Sequence, residues 1–305
     1  MVGGRGTVAR MGVLALLWGS SFLWIKLALG GLPPAWIAAV RCALGAAVVL
    51  GLCAWGRRRL PSTWRAWGHV AVAALFGCAL PFLLFAVGEQ TVDSGVAGVL
   101  NATTPLFALV IGVALGTDRR LSPVRLGGLL LGFAGVVLIF APWHAAGLAS
   151  WGALAILTAA ASYAVGYAYI GRTLANRGTD PIALSAAQLT TATAMGALTL
   201  PFSDTGAIAL DPVVLLAIGV LGVLGTGVAF AINLRLITDE GATQATTVGY
   251  LLPVVSVLLG ALFLHEPLTT RVVAGMLVVL LGVGMTRVVP RRPAPAAPAP
   301  ELAKA

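Results

Sequence analysis

The chain has 305 residues, of which 59% are hydrophobic and 10% are charged, and its mean hydropathy is +0.98. Because a soluble domain carries about 25% charged residues, this chain lacks the charges that would cover a water-soluble surface, and we predict a polytopic membrane protein. The formal net charge of +9 does not indicate nucleic-acid binding. The basic residues lie in short gaps between apolar runs rather than in a patch interleaved with aromatic residues.

Ten apolar runs each approach the roughly 20 residues that a helix needs to cross a bilayer. We predict that all are helices, because an open strand would leave its backbone unpaired in lipid. Trp18, Trp24 and Lys26 interrupt the first run, so it is expected to be retained rather than cleaved as a signal peptide. The predicted membrane helices are Met11–Leu29, Ala35–Trp55, Gly68–Val87, Ser94–Gly116, Leu126–Trp143, Ala149–Ile170, Pro181–Leu200, Pro212–Leu234, Thr243–Leu264 and Val272–Val289.

Positive charges indicate how these helices are oriented. With the N-terminus inside the cell, the inside loops and termini hold sixteen of the nineteen Lys and Arg residues, the outside loops hold Arg271, and Lys26 and Arg41 lie within helices. Because cytoplasmic loops carry the excess of Lys and Arg, we predict a multi-pass protein of the plasma or inner membrane with both termini in the cytoplasm. The expected divisions are a cytoplasmic N-terminus (1–10), two membrane units (11–143 and 149–289) and a disordered Pro/Ala-rich tail (290–305).

The cysteines and histidines of the sequence do not indicate a metal site, a cofactor or a catalytic function. The three cysteines are odd in number and fit no metal-binding spacing, so they are expected to be small core residues. The three histidines lie at predicted membrane interfaces without a convergent catalytic partner. These residues are Cys42, Cys53, Cys78, His69, His144 and His265.

The second half of the chain repeats the first. Pro253 follows Pro105 by 148 residues, and several other pairs are 147 residues apart. Such a constant offset indicates an internal repeat, and because each copy holds five helices, the second must be inverted relative to the first. Inverted repeats are the architecture of alternating-access transporters, with the site near the midplane between the halves. The pairs with an offset of 147 are Pro34 and Pro181, Arg41 and Gln188, Gly128 and Gly275, and Gly135 and Gly282.

Four segments carry a family resemblance: LLWGSSFLWIK, AWIAAVRCALGA, FAVGEQTVDSGVAGVLNATTPLFALVIGVAL and GATQATTVGYLLPVVSVLLGALFLHEPLT. Together they resemble the EamA-type branch of the drug/metabolite transporter superfamily, over roughly Val8 to Val289. The resemblance implies an all-helical membrane fold of ten helices in two inverted five-helix repeats, and the export of amino acids or other small metabolites. It does not specify the substrate.

Arg41, in the second helix, is the most informative candidate site residue. A charge near the bilayer centre costs about 2.5–3.5 kcal/mol on insertion scales, so its side chain should face protein or water. It either binds an anionic group of the substrate or holds the second helix in place through carbonyls, Glu89 or Asp93. The resembling family commonly has arginine at this position, which fits both interpretations. Lys26 is expected to extend to the membrane interface.

Aromatic residues form a candidate wall of the site. Trp18, Ser21 and Phe22 share one face of the first helix, and Tyr163 and Tyr167 form an i, i+4 pair in the sixth helix. If these faces point inward, they line a cavity for apolar or aromatic metabolites. If they do not, they contribute to helix packing.

Two prolines mark candidate hinges. Pro105 and Pro253 should each leave a backbone carbonyl unpaired one turn earlier, near residues 101 and 249, which suits only a hydrated cavity beside Asn101. The other predicted cavity residues are Thr104, Gln188, Asn233, Thr246 and Tyr250. For the amides of Gln188 and Asn233, the alternative is that they join helices through hydrogen bonds.

Small residues predict close helix packing. Gly112 with Gly116, and Gly128 with Gly132, form pairs four residues apart, a spacing that lets helix backbones approach.

The acidic residues bear on the class of substrate, because all ten lie at helix ends, in loops or in the tail. An exporter of cations usually needs a carboxylate within the membrane. The sequence therefore favours a secondary transporter that exports neutral, zwitterionic or anionic metabolites such as amino acids, as a monomer or homodimer in the lipid bilayer. Protons and a counter-substrate are both open as coupling partners. The alternatives are an exporter of lipophilic cations or toxic compounds, an intramembrane enzyme, and a non-transporting membrane factor.

A reporter fused after Val289 tests the helix count and the orientation together. We expect a cytoplasmic readout from paired fusions of a cytoplasm-active and a periplasm-active reporter, because ten crossings return the chain to the side of its N-terminus. A periplasmic readout would contradict the count.

Overall fold

The computed structural model describes residues 5–116, 122–140, 151–174, 179–203, 208–240, 248–249 and 251–286, and the regular structure within these ranges is helical. The helices are α1 (Arg5–Gly19), α2 (Ser21–Ala28), α3 (Pro34–Trp55), α4 (Trp64–Ala74), α5 (Leu80–Gly88), α6 (Ser94–Asn101), α7 (Thr104–Ala114), α8 (Pro123–Phe140), α9 (Trp151–Thr173), α10 (Pro181–Thr199), α11 (Pro212–Gly219), α12 (Ala229–Glu240), α13 (Leu252–Phe263) and α14 (Thr270–Thr286). Two π-helical segments, Leu75–Ala79 and Val220–Val228, join neighbouring helices, and a 3-10 turn, Leu200–Phe202, follows the end of α10.

Six helical stretches are long and apolar enough to cross a membrane, and three more apolar helices are shorter. The six are Gly6–Ala28, Pro34–Trp55, Trp64–Gly88, Ser94–Ala114, Trp151–Thr173 and Pro212–Asn233. Large apolar side chains such as Leu262 and Leu281 are exposed on the outside of the bundle, and Trp55 and Trp64 are exposed at helix ends. Such a surface suits lipid with an aromatic belt at its edge. Each of the ten predicted runs contains helix among the described residues, and six of the helical stretches there meet the length and composition of a membrane span.

Two predicted runs are broken rather than continuous. The first is interrupted at Ser20, between α1 and α2, and the fourth at Ala102 and Thr103, between α6 and α7. Pro105 lies in the first turn of α7, where a missing N–H is tolerated. The prediction that the carbonyl of residue 101 is unpaired is wrong, because the Asn101 carbonyl accepts a hydrogen bond from Thr104 Oγ1 at 2.8 Å.

The two π-helical segments lie at equivalent positions in the two halves. Adding the repeat offset of 147 residues to Leu75–Ala79 gives positions within Val220–Val228. A π turn disturbs the regular backbone ladder, and hydroxyl groups bind carbonyls within both segments. Ser162 Oγ donates to the Phe76 carbonyl at 2.8 Å. Thr226 Oγ1 lies 3.0 Å from the Leu221 carbonyl.

Helices α8 and α14 pack against each other through glycines. A Cβ added at Gly282 would meet the backbone of Gly128 and Gly132, and one added at Gly135 would meet the Gly275 carbonyl. Residue numbers rise along one helix as they fall along the other, so the helices are antiparallel at this contact. The predicted close packing is thus found for Gly128 and Gly132.

The prediction of close helix packing is wrong for Gly116. Its φ of +66° places it in the left-handed region, and a Cβ added there would meet nothing within 4 Å. Gly116 therefore follows the end of α7 as a typical C-terminal glycine, and a Cβ at this position would contact no other described helix.

One end of the bundle carries the side chains of Glu89, Asp93 and Glu266, and we call it the acidic end. Asp93 is the N-cap of α6, but its side chain makes no capping bond. Glu266 takes this role from the other half of the chain: its carboxylate accepts hydrogen bonds from the N–H groups of Ser94 (2.7 Å) and Gly95 (2.9 Å). A carboxylate at a helix N-terminus is stabilised by these otherwise unpaired donors.

Lys26, which was expected to extend to the membrane interface, also belongs to the acidic end. Its Nζ donates to the carbonyls of Glu89 (2.6 Å) and Val92 (3.0 Å), so it joins α2 to the end of α5. At the opposite end, Arg58 forms an ion pair with Asp180 at 2.8 Å. This second contact joins the loop after α3 to the start of α10.

We expect Gly260→Ala to lower the thermal unfolding midpoint of the purified protein in detergent. The added Cβ would collide with Glu266 Oε2 and displace the carboxylate from α6, and hydrogen bonds to charged groups are worth about 1.5–3 kcal/mol each. Gly284→Ala is the matched control, because nothing lies within 4 Å of a Cβ at that position. Equal midpoints for the two variants would show that the Glu266 contact contributes nothing to stability.

Candidate functional site

A cavity of about 390 Å³ lies between the two halves of the chain and receives side chains from both. Ten of the twelve predicted substrate-contacting residues line it: Trp18, Ser21, Phe22, Arg41, Asn101, Thr104, Tyr163, Tyr167, Gln188 and Asn233. The other two, Thr246 and Tyr250, lie outside the described residues. Of the predicted hinges, Pro105 lines the cavity, whereas Pro253 is buried in the first turn of α13 behind Leu252, which does line it.

Arg41 reaches the cavity from α3 and is buried, with 6% of its surface exposed. Its Nε donates to Thr226 Oγ1 at 2.8 Å, and its guanidinium carbon lies 3.8 Å above the centre of the Phe82 ring. Helix α3 is therefore attached through Thr226 and Phe82, rather than through the carbonyls or carboxylates considered as partners. Within the described ranges, the two terminal guanidinium nitrogens form no hydrogen bond to protein.

Small residues on α3 bring Thr226 within reach of Arg41. A Cβ added at Gly45, one turn after Arg41, would lie 2.6 Å from Thr226 Cγ2, and one added at Gly222 would lie 2.6 Å from Leu44 Cβ. These glycines let the π-helical segment approach α3 closely. The extra residue of the π turn then presents the Thr226 hydroxyl to the guanidinium.

Aromatic side chains form a continuous part of the cavity wall, as the spacing in the first and sixth predicted helices indicated. Neighbouring rings contact edge-to-face or at a tilt, and one pair is stacked. The pairs and their centroid distances are Trp18 with Phe230 (6.5 Å), Phe22 with Phe85 (5.5 Å), Phe85 with Tyr163 (6.0 Å) and Tyr163 with Tyr167 (5.9 Å).

Polar groups are interspersed with the rings. Ser21 Oγ donates to the Leu17 carbonyl of its own helix at 3.0 Å, and Thr104 Oγ1 to that of Asn101. The amides of Gln188 and Asn233 also line the cavity, and neither forms a hydrogen bond to another described residue. A buried amide without a protein partner loses its hydration energy, so these amides need water or a ligand in the cavity.

Arg41 is the one charged side chain among the described residues that line the cavity, and none of them is Asp or Glu. The three cysteines are buried and unpaired, as expected for small core residues, and Cys78 forms part of the wall. In the part of the chain that the structure describes, no cluster of His, Cys, Asp or Glu is arranged to hold a metal ion.

The wall and anchoring residues that sequence reasoning missed include Phe82, Phe85, Thr226 and Phe230. Phe82 and Phe85 follow the i, i+3 spacing that identified the first helix. Phe230 stands at the same spacing before Asn233, which was identified. Thr226 carries no such signal, because its role depends on a π turn that the glycine-rich sequence does not by itself specify.

A model of the EamA-like transporter family matches residues 10–141 and, again, residues 150–288. The chain belongs to this family. It is 30% identical over 277 residues to an uncharacterized transporter of Archaeoglobus fulgidus, which covers 89% of this chain and 96% of the relative. It is also 30% identical over 258 residues to the uncharacterized inner membrane transporter YedA of Escherichia coli, covering 81% of this chain and 79% of the relative.

The fold is also found among solved structures. One crystal structure aligns with a TM-score of 0.66 at 22% identity and covers 94% of this chain and 99% of the other. An alignment at this identity shows the fold and not the substrate. The family and its relatives establish this EamA-like protein as a multi-pass membrane transporter.

We expect Thr226→Val to destabilise the protein although it preserves the volume of the side chain. The variant leaves the buried Arg41 Nε without its hydrogen-bond acceptor, and an unsatisfied buried group costs about 1–3 kcal/mol. Thermal unfolding in detergent measures the effect. Thr193→Val is the matched control, because its hydroxyl binds the Leu189 carbonyl of its own helix, and an equal loss in both variants would contradict the importance of the Arg41 contact.

Proposed function

We propose that this EamA-like transporter is a secondary transporter that exports small carboxylate-bearing metabolites, such as amino acids, through the cavity between its halves. The observation that carries the proposal is Arg41. A buried guanidinium with two uncommitted terminal nitrogens faces a cavity whose described lining contains no carboxylate. Guanidinium groups bind carboxylates in a two-pronged geometry.

The rest of the wall supports a small amphipathic substrate. A cavity of about 390 Å³ is at the small end of ligand sites, which span roughly 300–1,000 Å³. With its carboxylate on Arg41, a substrate would meet the amides of Gln188 and Asn233 with its other polar groups. The ring-lined part of the wall would receive an apolar or aromatic side chain.

Transport by alternating access requires two halves that exchange roles, and we propose ten helices in two inverted repeats. The packing of α8 on α14 supports this arrangement. Gly128 and Gly275 are equivalent in the repeat, as are Gly135 and Gly282, and the contacts pair Gly128 with Gly282 and Gly135 with Gly275. Exchanged pairing of this kind, in an antiparallel contact, is typical of two units related by a two-fold axis. The site is then near the midplane.

Export of lipophilic cations is the second candidate, and the aromatic wall favours it, because ring faces attract cations. The charge in the cavity opposes it. Arg41 repels a cation, and the described lining offers no carboxylate as a counter-charge. We therefore rank the carboxylate-bearing metabolites first.

Arg41→Ala tests the substrate class in a resistance screen. We expect an expressing strain to survive inhibitory amino acids and their analogues, and Arg41→Ala to abolish that protection although the variant reaches the membrane in normal amounts on an immunoblot. Arg58→Ala, which removes the partly exposed ion pair with Asp180, is the matched control and should remain protective. Protection against cationic dyes alone would support the second candidate, and unchanged protection by Arg41→Ala would reduce Arg41 to a structural role.

A further inference from the structure

Glu89 is the most unusual ionisable group of the described chain. It follows α5 directly, is 0% exposed, and neither oxygen of its carboxyl group has a hydrogen-bond partner. Its N–H binds the carbonyl of Phe85, and the Phe85 ring lines the cavity. Glu89 therefore lies one helical turn from the proposed substrate site, at the acidic end of the fold.

A structural ion pair does not explain this burial. Lys26 on α2 is the nearest candidate, but its Nζ binds the backbone carbonyls of Glu89 and Val92 rather than the carboxyl group. The other charged groups that act on Glu89 are Glu266, in the loop after α13, and Arg41, on α3. Neither forms an ion pair with Glu89 within the described ranges.

An ionised carboxylate in this position would be strongly unfavourable. Removing an unpaired ion from water costs several kcal/mol, and such groups bind a proton instead. Burial raises the pKa of Glu89 well above its usual range. The positive charge of Lys26 lowers this pKa, the negative charge of Glu266 raises it, and that of Arg41 lowers it, but burial is the largest effect.

We propose that Glu89 is a proton-binding site of the transport cycle, protonated while the acidic end is closed and deprotonated when that end opens to water. The proposal rests on the function proposed above and adds protons as the coupling ion. In the step itself, the neutral carboxyl group gives its proton to water and becomes a carboxylate. The reverse step must precede closure, because a charged Glu89 cannot be buried without a partner.

Contacts between helices at the acidic end hold this end of the protein closed. Glu266 holds the start of α6 through the N–H groups of Ser94 and Gly95, and Lys26 holds the end of α5. The closed conformation binds the Glu89 proton more tightly than the open one. Protonation of Glu89 therefore stabilises the closed conformation relative to the open one. This stabilisation is fully present at a pH below the pKa of Glu89 in the open conformation, and it is lost as the pH rises through the pKa of Glu89 in the closed conformation.

The proton site is tested first without any substrate. Infrared spectra of the full-length protein in lipid bilayers are recorded across a pH series, and the carbonyl-stretch band of protonated carboxylic acids is followed. We expect a band that persists at neutral pH in the wild type and in Asp93→Asn, which removes an exposed carboxylate four residues away, and that is absent in Glu89→Gln. A band that is missing from the wild type, or unchanged in Glu89→Gln, overturns the proposal.

Coupling is tested with radiolabelled L-phenylalanine in proteoliposomes, a probe that offers a carboxylate to Arg41 and a ring to the wall. In the wild type, an imposed pH gradient should drive net flux, and exchange of labelled for unlabelled phenylalanine should proceed without a gradient. Glu89→Gln should retain the exchange and lose the response to pH, whereas Glu89→Asp should retain both.

The two proposals fail in different ways. Absence of exchange in the wild type counts against phenylalanine as a substrate and against the proposed function, while the infrared result still decides whether Glu89 holds a proton. Exchange without any effect of a pH gradient, in the wild type, overturns proton coupling and leaves the proposed function standing.

Discussion

The burial of one guanidinium group in an apolar bundle is the constraint on which the rest of this structure depends. Arg41 keeps its charge at physiological pH, so a bilayer protein can hold it only against partners or water. Thr226 and Phe82 supply the partners, and the cavity supplies the open side. The π turn at Thr226 and the glycines opposite it follow from this need, because a regular helix with larger residues would keep the hydroxyl out of reach.

The irregular backbone of the membrane helices is concentrated around the same cavity. Backbone that leaves the helical pattern is tolerated at membrane depth only where protein or water completes its hydrogen bonds. Three irregular segments have a hydroxyl partner: Ser162 for the π turn at Phe76, Thr226 within the second π turn, and Thr104 at the irregular turn before Pro105. These helices can therefore bend at the site without leaving carbonyls unpaired, which is the property that a moving transporter needs.

The all-helical membrane fold and part of the cavity wall follow from the sequence, because apolar length and helical spacing are local or periodic signals. Spacing alone put Trp18 and Phe22 on one face of a helix and left cavity lining and helix packing open for them and for Tyr163, and in the structure all three line the cavity. The missed features depend on partners distant in the chain. Lys26 binds carbonyls at the end of α5 that lie far from it in the chain, and the position of Glu89 at a helix end gave no sign that it is completely buried.

Arg41 and Glu89, both buried near the cavity, differ in a way that suits different tasks. The charge of a guanidinium is permanent, so Arg41 offers the same attraction to a carboxylate in every conformation. The charge of a carboxyl group depends on its exposure to water, so Glu89 changes its charge whenever the acidic end opens or closes. Substrate recognition needs the first property, and coupling to a gradient needs the second. Reversing the two roles would lose both, because an arginine cannot release its proton and a buried neutral glutamic acid cannot attract an anion.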